Sequence, residues 1–301
     1  MKRNFNEIYQ EIYINGVKEL TMLKRNHNVS ILVFFALFIL TIIIFISQKR
    51  FTPILMVSIV TAIVSLVILM REQYNYKKGF KELVIKRLVY LYNPKFVYIP
   101  SSGVTRNEYI ESFFDSHFDR FYTEDLIKGA INDEYSFKIA QVKTQVEEVE
   151  TDSNGNSEIE THTLFSGLFG IVEIKDSMIM KMDITSNNIL NKYHKSRIEV
   201  DSSEFEKKYD MFSTDKVRTM EIFTSDIIEE FNKFEEETGY VMQIKVVPNR
   251  LYFRISCGES FEAPMIKDAL SYDYLYKNFR MIDFPIDIIT KMINNALETR
   301  R

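Results

Sequence analysis

The residues with the clearest capacity for chemistry form an acidic cluster late in the chain: Asp201, Glu204, Asp210 and Asp215. Carboxylates grouped in this way can serve as general acids and bases, which is the chemistry of a hydrolase or a transferase. The same stretch contains Ser203 and Glu206, whose spacing is that of a helix capping box. The cluster therefore has a structural explanation beside the catalytic one, and we assign no catalytic residue from it.

Other reactive residue types are isolated in the sequence. The four histidines, at positions 27, 117, 162 and 194, lack the paired spacing and the cysteine partners of a zinc site. No glycine-rich phosphate-binding motif is present. Cys257 falls on the apolar face of a predicted strand, with no histidine near it in sequence to act as a base. We therefore predict no metal ligand and no cofactor, and consider enzymatic activity less probable than binding.

Composition narrows the choice of partner and compartment. The chain has 301 residues, with 38 Lys plus Arg against 42 Asp plus Glu and a formal net charge of -4. This balance gives no general electrostatic basis for binding nucleic acid. A single cysteine cannot form an internal disulfide, which fits a reducing compartment.

Two apolar segments, residues 29–47 and 51–70, contain no Asp, Glu, Lys, Arg or His. Each has about 20 residues, and at 1.5 Å per residue a helix of that length crosses the roughly 30 Å hydrocarbon core of a bilayer. The segment SQKRFTP, residues 47–53, is the predicted tip between the two membrane helices, with Pro53 in the first turn of the second. The absence of charge within the spans argues against an ion pathway.

Positive charge predicts the orientation of these spans. Lys24 and Arg25 precede the first span, and the tip offers only Lys49 and Arg50. Six basic residues follow the second span: Arg71, Lys77, Lys78, Lys81, Lys86 and Arg87. By the positive-inside rule we expect both termini to be cytoplasmic. The same six residues are candidates for contact with anionic lipid headgroups.

The second span also has a small-residue face: Ser58, Thr61, Ala62 and Ser65. Small residues at helical spacing allow two helices to approach closely. We expect this face to pack against the first span, and dimerisation with another copy of the chain is the alternative.

The remaining sequence divides into three parts. Residues 1–28 are a predicted cytoplasmic amphipathic helix, with apolar side chains at positions 5, 8, 9, 12 and 13. Residues 71–92 form a predicted juxtamembrane helical stalk that ends before Asn93-Pro94. Residues 93–301 form a predicted cytoplasmic domain.

Local signals in residues 93–301 alternate between helix and antiparallel strand. A capping box at Thr105 and Glu108 predicts a helix whose apolar face continues through His117 to Phe121. Residues 142–165 predict a long hairpin turning at Asn154-Gly155. Gly167 and Gly170 predict bends or close backbone approach in the strand that follows.

A helix beginning after Thr224 and ending at Gly239, two strands joined at Pro248–Arg250, and a last helix from Pro285 to about Glu298 complete the pattern. The fold class is therefore α+β: an N-terminal transmembrane helical hairpin followed by a soluble domain with an antiparallel sheet and flanking helices. A pleckstrin-like or other small barrel is a second arrangement of the same strands.

Three blocks of the soluble domain carry a family resemblance: TLFSGLFGIVEI (163–174), RIEVDSSEFEKKYDMFSTDKVRTMEIFTSDIIEEF (197–231) and RLYFRISCGESFEAP (250–264). They are similar to the blocks of a bacterial domain-of-unknown-function family, number 3137. The resemblance implies two membrane spans near the N-terminus followed by a cytoplasmic domain. It implies no activity, ligand or catalytic residue.

Three functions are compatible with this reading. The first is a membrane-anchored cytoplasmic binding or scaffold module, which contacts the lipid bilayer and either recruits a protein partner or self-associates, with its ligand unknown. The second is an accessory subunit of a membrane transport or envelope complex. The third is a membrane-bound hydrolase or transferase that uses the acidic cluster. None of the three involves nucleic acid.

Overall fold

A computed structural model of the chain describes residues 4–47, 52–151, 157–174, 181–188, 191 and 194–299. The chain forms two compact units. One comprises Met1–Leu88 with Glu262–Tyr272, and is called the helical unit here. The other comprises Val89–Phe261 with Asp273–Arg301, and is called the sheet unit. Most of the predicted tip, residues 48–51, lies outside the described residues.

The helical unit is built on a hairpin of two long helices. Helix α1 runs without interruption from Phe5 to Ser47, so the predicted amphipathic helix and the first span are one element. Helix α2 (Pro53–Phe80) continues through a π-helical turn (Lys81–Ile85) into α3 (Lys86–Tyr92). Thr52 caps α2, since its side chain accepts a hydrogen bond from the N–H of Leu55, and Pro53 occupies the first turn as predicted.

Both long helices have the length and apolar composition needed to cross a membrane. Large apolar side chains cover their outer surfaces, among them Leu32, Ile46, Val57 and Met70, all of them exposed. A contiguous apolar surface of this extent is unusual on a soluble protein. The structure thus shows two candidate membrane helices where the sequence predicts spans.

Residues Glu262–Tyr272 join the helical unit, although they lie far from it in sequence. The carboxylate of Glu262 bridges Lys77 and Lys81, at 3.1 and 2.7 Å. The Tyr76 hydroxyl donates to the carbonyl of Pro264 at 3.1 Å, and the ring of Tyr272 meets Phe5 edge-on. Nothing in the sequence pattern predicted this association.

The sheet unit contains a nine-stranded sheet in which every adjacent pair is antiparallel. Its strands are β1 (Val97–Ile99), β2 (Arg120–Ile131), β3 (Tyr135–Thr151), β4 (Ser157–Glu173), β5 (Met182–Ser186), β6 (Arg197–Ile198), β7 (Tyr209–Ser213), β8 (Met242–Val247) and β9 (Arg250–Ile255). Their spatial order is β1-β2-β3-β4-β9-β8-β5-β7-β6. Because β1 and β6 are the edges of the described sheet, it is open, and the α+β class is confirmed without a barrel.

Among the described residues, five further helices accompany the sheet: α4 (Arg106–Ile110), α5 (Ser203–Lys208), α6 (Lys216–Ile222), α7 (Ser225–Thr238) and α8 (Tyr272–Glu298). Aromatic side chains join α5, α7, α8 and β7 in one core. Phe231 of α7 lies at its centre, with ring centroids 5.8 Å from Phe205, 5.3 Å from Tyr209 and 5.3 Å from Phe284. The ring of Phe234 stacks on Phe284 at 4.0 Å. These fully buried rings carry much of the apolar burial of this unit.

A second aromatic core lies under the segment that connects β1 to β2. It contains Tyr109, Phe118, Phe165, Phe169 and Tyr252, all of them buried. Tyr109 and Phe169 meet edge-on at 4.8 Å. This cluster fastens α4 to β4 and β9.

Local predictions succeeded where a cap or an alternation defined them. The capping box of Thr105 and Glu108 is present, and Gly239 ends α7 in the left-handed conformation with φ of 73°. Strands β3 and β4 form the predicted hairpin, and β8 alternates buried and partly buried residues. The Asn154-Gly155 turn lies outside the described residues.

Predictions of helix length were less accurate. The helix capped by Thr105 ends at Ile110, and Phe113 then takes a left-handed conformation with φ of 54°. The prediction of a helical face through Phe121 is therefore wrong, and the predicted core residue His117 is 74% exposed. Conversely, α8 starts well before Pro285, which lies buried inside it. Helix α5 is capped by Ser202 instead of Ser203.

At Gly167 in β4, the backbone of a neighbouring segment lies too close to leave room for a side chain. A Cβ atom added there would lie 1.9 Å from the carbonyl oxygen of Ile255. At Gly170 the added atom would lie 2.1 Å from the ring of Phe253. The prediction of close backbone approach is confirmed at Gly167, whereas the close neighbour of Gly170 is the Phe253 side chain.

Candidate functional site

Asp210 is the one buried member of the acidic cluster, with 2% of its surface exposed. Its carboxylate accepts hydrogen bonds from the backbone N–H of Asn188 at 2.8 Å, from Nδ2 of Asn191 at 3.1 Å and from Nε of Arg197 at 3.0 Å. Burial raises the pKa of Asp210, but the hydrogen bonds from Asn188 and Arg197 lower it by more than burial raises it. The net pKa of Asp210 therefore lies below its ordinary value. The catalytic hypothesis requires this carboxylate as an acid or base, but in the structure it already accepts hydrogen bonds from three donors.

The other members of the cluster are exposed and have separate surroundings. Asp215 caps α6 by accepting from the N–H of Arg218 at 3.0 Å. Glu204 lies in the first turn of α5, and Asp201 precedes that helix. Within the described residues, no three ligand atoms of the cluster come within 4.8 Å of one another. The tertiary structure therefore does not gather these acids into one site.

The small-residue face of α2 is partly covered. Ser58 and Ser65 are buried, Ala62 is half-buried and Thr61 is exposed. The Thr41 hydroxyl of α1 donates to the backbone carbonyl of Ser58 at 3.2 Å. Ser58 thus faces α1 within the hairpin.

Four of the six basic residues predicted to touch headgroups have carboxylate partners in the helical unit. Lys77 and Lys81 bind Glu262, Lys86 pairs with Glu82 at 2.7 Å, and Arg87 pairs with Glu11 at 3.2 Å. No ion pair is present for Arg71 or Lys78 among the described residues, and both are exposed. Contact of these two residues with lipid headgroups stays a prediction.

Cys257 is buried as predicted, but it lies two residues after the end of β9 and not on the strand itself. Its sulfur lies 2.9 Å from the hydroxyl oxygen of Ser260. Burial raises the pKa of the Cys257 thiol, and the hydrogen bond from Ser260 offsets this only in part. A thiol in this setting is protonated at neutral pH and is a poor nucleophile.

A polar network that sequence reasoning missed lies on the sheet face beneath α4. Oδ1 of Asp115 binds Nη1 of Arg254 at 2.8 Å, and its Oδ2 accepts from the hydroxyls of Tyr109 at 2.6 Å and Thr144 at 2.9 Å. Arg254 also lies over the ring of Phe114. Each carboxylate oxygen of Asp115 has a partner within the network. These contacts hold the α4 segment on the sheet. The residues come from three separate segments, namely the α4 segment, β3 and β9, so no sequence spacing could reveal the whole network.

The most distinctive surface of the sheet unit is a two-stranded extension of the β3–β4 hairpin. We call residues 145–151 of β3 and 157–164 of β4 the β3–β4 arm. Strand β2 pairs with β3 no further than Gln145, and β9 pairs with β4 only from Leu168 onward. Within the described residues, both edges of the arm beyond Gln145 therefore lack a third strand. The arm is anchored at its base by Asp119, which accepts from the N–H of Glu147, and by Arg120, which binds the Glu147 carboxylate.

The arm is strongly acidic. Its two segments contain five carboxylates and no lysine or arginine. Glu148 lies directly opposite Glu160 in the strand register, and Glu150 opposite Glu158. Like charges placed directly opposite each other destabilise a strand pair. His162 lies 3.6 Å from Glu160 and 3.9 Å from Glu148, and within the described arm it is the only side chain that can offset this charge when protonated.

The opposite face of the arm carries exposed apolar side chains. Val149 is paired with Ile159, and they are 67% and 64% exposed. Isolated exposed apolar residues are ordinary, but here they combine with open strand edges and uniform charge.

Fold and surface together describe an α+β protein with two candidate membrane helices and an antiparallel sheet that extends into an acidic arm. Residues 163–293 match the model of a family described as "Protein of unknown function (DUF3137)". The chain thus resembles that family over most of the sheet unit, as its sequence blocks predict. No curated protein and no solved structure matches the chain.

Proposed function

We propose that this chain is a membrane-anchored binding module of the bacterial inner membrane whose β3–β4 arm recruits a basic protein segment on the cytoplasmic side. The single observation that supports the proposal most directly is the arm, with open strand edges and opposed glutamates. An extended basic segment can hydrogen bond to an open edge and neutralise the glutamates at the same time.

Charge favours this occupant over a second copy of the arm. Pairing two arms edge to edge would bring together two surfaces that each carry carboxylates and no basic residue other than His162. Acidic side chains on open edges are a known defence against such self-pairing. A basic partner removes the repulsion, so the arm discriminates by charge.

Site-directed photocrosslinking tests the recruitment proposal in cells. With a benzophenone amino acid in place of Val149, the full chain in its membrane is expected to form a discrete adduct with one protein. The same probe in place of Val217, which is 71% exposed on α6, is the matched control and is expected to give no such adduct. The double substitution Glu148→Lys and Glu160→Lys is expected to reduce the Val149 adduct at least about tenfold, which corresponds to ~1.4 kcal/mol.

Two results would contradict recruitment by the arm. One is equal adduct formation from positions 149 and 217, which would show indiscriminate labelling. The other is a Val149 adduct that survives charge reversal, since charge complementarity is the basis of the proposal. Circular dichroism of the reversed variant checks folding, and we expect no change because both glutamates are exposed.

The proposed orientation rests on the asymmetry of basic residues around the two helices. Six follow the second span, whereas only Lys49 and Arg50 stand between the spans. A reporter inserted between residues 49 and 50 is expected to be active only on the outer side of the membrane, and a reporter fused after Arg301 only in the cytoplasm. Paired alkaline phosphatase and fluorescent protein fusions measure this. Cytoplasmic activity of the reporter inserted between the spans would invert the topology and place the arm outside.

A further inference from the structure

A cleft with an unusual arrangement of charge lies on the sheet unit, across β1, β2, β3, β4 and β9. Its volume is about 350 Å³, which is within the range of small-molecule sites. Four cationic side chains and two carboxylates line it: Lys95, Lys128, Lys138 and Arg250, with Glu108 and Glu173. The lining thus carries an excess of positive charge, although the chain as a whole is acidic.

Two of these cations oppose each other directly. Lys128 of β2 and Lys138 of β3 are partners in the strand register, so their side chains leave the sheet on the same face. Like charges in this position repel and reduce the stability of the strand pair. Such a pair is expected to have either a counterion or a ligand that binds the positive charge.

Most cations of the cleft already have a carboxylate partner. Lys138 binds Glu108 at 2.6 Å, Lys95 binds Asp133 at 2.5 Å, and Arg250 binds Glu111. Burial raises the pKa of Glu108, but hydrogen bonds from Lys138 and Thr105 lower it below its ordinary value, so Glu108 stays ionised beside Lys138. Lys128, on β2, has no ion pair with any described residue, although the cleft around it contains carboxylates as well as cations.

The lysine pair is flanked by apolar side chains. Val97 is the register partner of Lys128, and Ile171 is the register partner of Lys138. The four residues form one row across β1 to β4 on the same face. A ligand that places an anionic group at Lys128 could therefore rest its carbon skeleton on Val97, which is 47% exposed, whereas Ile171 is buried. Convergent polar groups above an apolar floor are typical of ligand sites.

We propose that this cleft binds a phosphate monoester, with Lys128 as its principal cationic contact. A monoester carries close to two negative charges at neutral pH and accepts several hydrogen bonds, which suits the Lys128 ammonium next to the Lys138–Glu108 ion pair. The group could belong to a soluble metabolite or to a lipid with a monoester headgroup. The proposal is independent of the arm, because it involves a different surface and a different ligand.

Calorimetric titration of the full chain in phosphatidylcholine nanodiscs with glycerol 3-phosphate tests the site. Binding is expected for wild type, and Lys128→Gln is expected to weaken it at least about tenfold. Lys233→Gln, at an exposed lysine on α7, is the matched control and is expected to change affinity less than about twofold. Without ligand, Lys128→Gln is expected to melt no lower than wild type, because it removes a repulsive pair.

A second arm of the experiment separates the two sources of phosphate. In nanodiscs that contain phosphatidic acid, a lipid-derived ligand would occupy the cleft and suppress glycerol 3-phosphate binding through Lys128, whereas a soluble ligand would bind unchanged. Either result supports the site and assigns its source. The proposal is overturned if neither phosphate binds, if Lys128→Gln binds as wild type does, or if Lys233→Gln loses as much affinity as Lys128→Gln.

Discussion

Replacing Asp210 by alanine is expected to destabilise the sheet unit by about 3–5 kcal/mol. The carboxylate is 2% exposed and receives three hydrogen bonds, one of them from Arg197. Its removal leaves the Arg197 side chain, itself only 13% exposed, without its closest partner. It also leaves the Asn188 N–H and the Asn191 amide without this acceptor.

Urea unfolding of the full chain in neutral detergent, followed by the near-ultraviolet circular dichroism of its tyrosines, measures this loss. Asp201→Ala is the matched control, because it removes an exposed carboxylate from the same predicted cluster. We expect that control to stay within about 0.5 kcal/mol of wild type. Equal stability of the two variants would show that the Asp210 contacts contribute nothing to folding.

The stabilising effect of Asp210 should also depend on pH in a defined direction. Its pKa is lower in the folded chain than the ordinary value of 3.8. Its contribution is therefore fully present above that value and is lost as the pH falls through the folded pKa. Asp210→Asn is expected to lack this acid-sensitive part of the unfolding free energy. Loss of a cellular function in an Asp210 variant would thus indicate catalysis only if the variant remained folded.

Replacing Gly167 by alanine is expected to cost more than about 3 kcal/mol and to disrupt the pairing of β4 with β9. The new methyl carbon would lie 1.9 Å from the carbonyl oxygen of Ile255 and 2.9 Å from the backbone nitrogen of Cys257. Rotamer changes cannot relieve a contact with backbone. The chain at Ile255 to Cys257 would have to move away from β4.

Hydrogen exchange of the β4 and β9 amides is the direct measurement for Gly167→Ala. We expect faster exchange from Leu168 to Glu173 and from Arg250 to Ile255, the residues paired in that ladder. Thr161→Ala, at an exposed position of the same strand, is the control and should leave these amides protected. Unchanged protection in Gly167→Ala would mean that β4 and β9 can separate slightly without loss of pairing.

Features encoded in short stretches of sequence were predictable. Uncharged apolar runs indicated the two long helices, because a bilayer imposes length and composition on any segment that crosses it. The Thr105–Glu108 capping box, the Gly239 stop and the β3–β4 hairpin were predictable because caps and alternation act within a few residues. The length of α4 was not predictable from the sequence. The helix ends at Ile110, and aromatic residues that follow it, such as Phe118, pack against the sheet from a non-helical segment.

The sequence by itself determined the two candidate membrane helices, the α+β class and the family resemblance, because each depends on local composition or on ordered blocks of residues. Only the tertiary structure decided that Asp210 is bound by Arg197 while Asp215 caps a helix. It alone brought Glu262 to Lys77 and Lys81, and set Lys128 opposite Lys138. Strand register and long-range ion pairs depend on how the whole chain packs, since a shift of one residue would move every side chain to the other face.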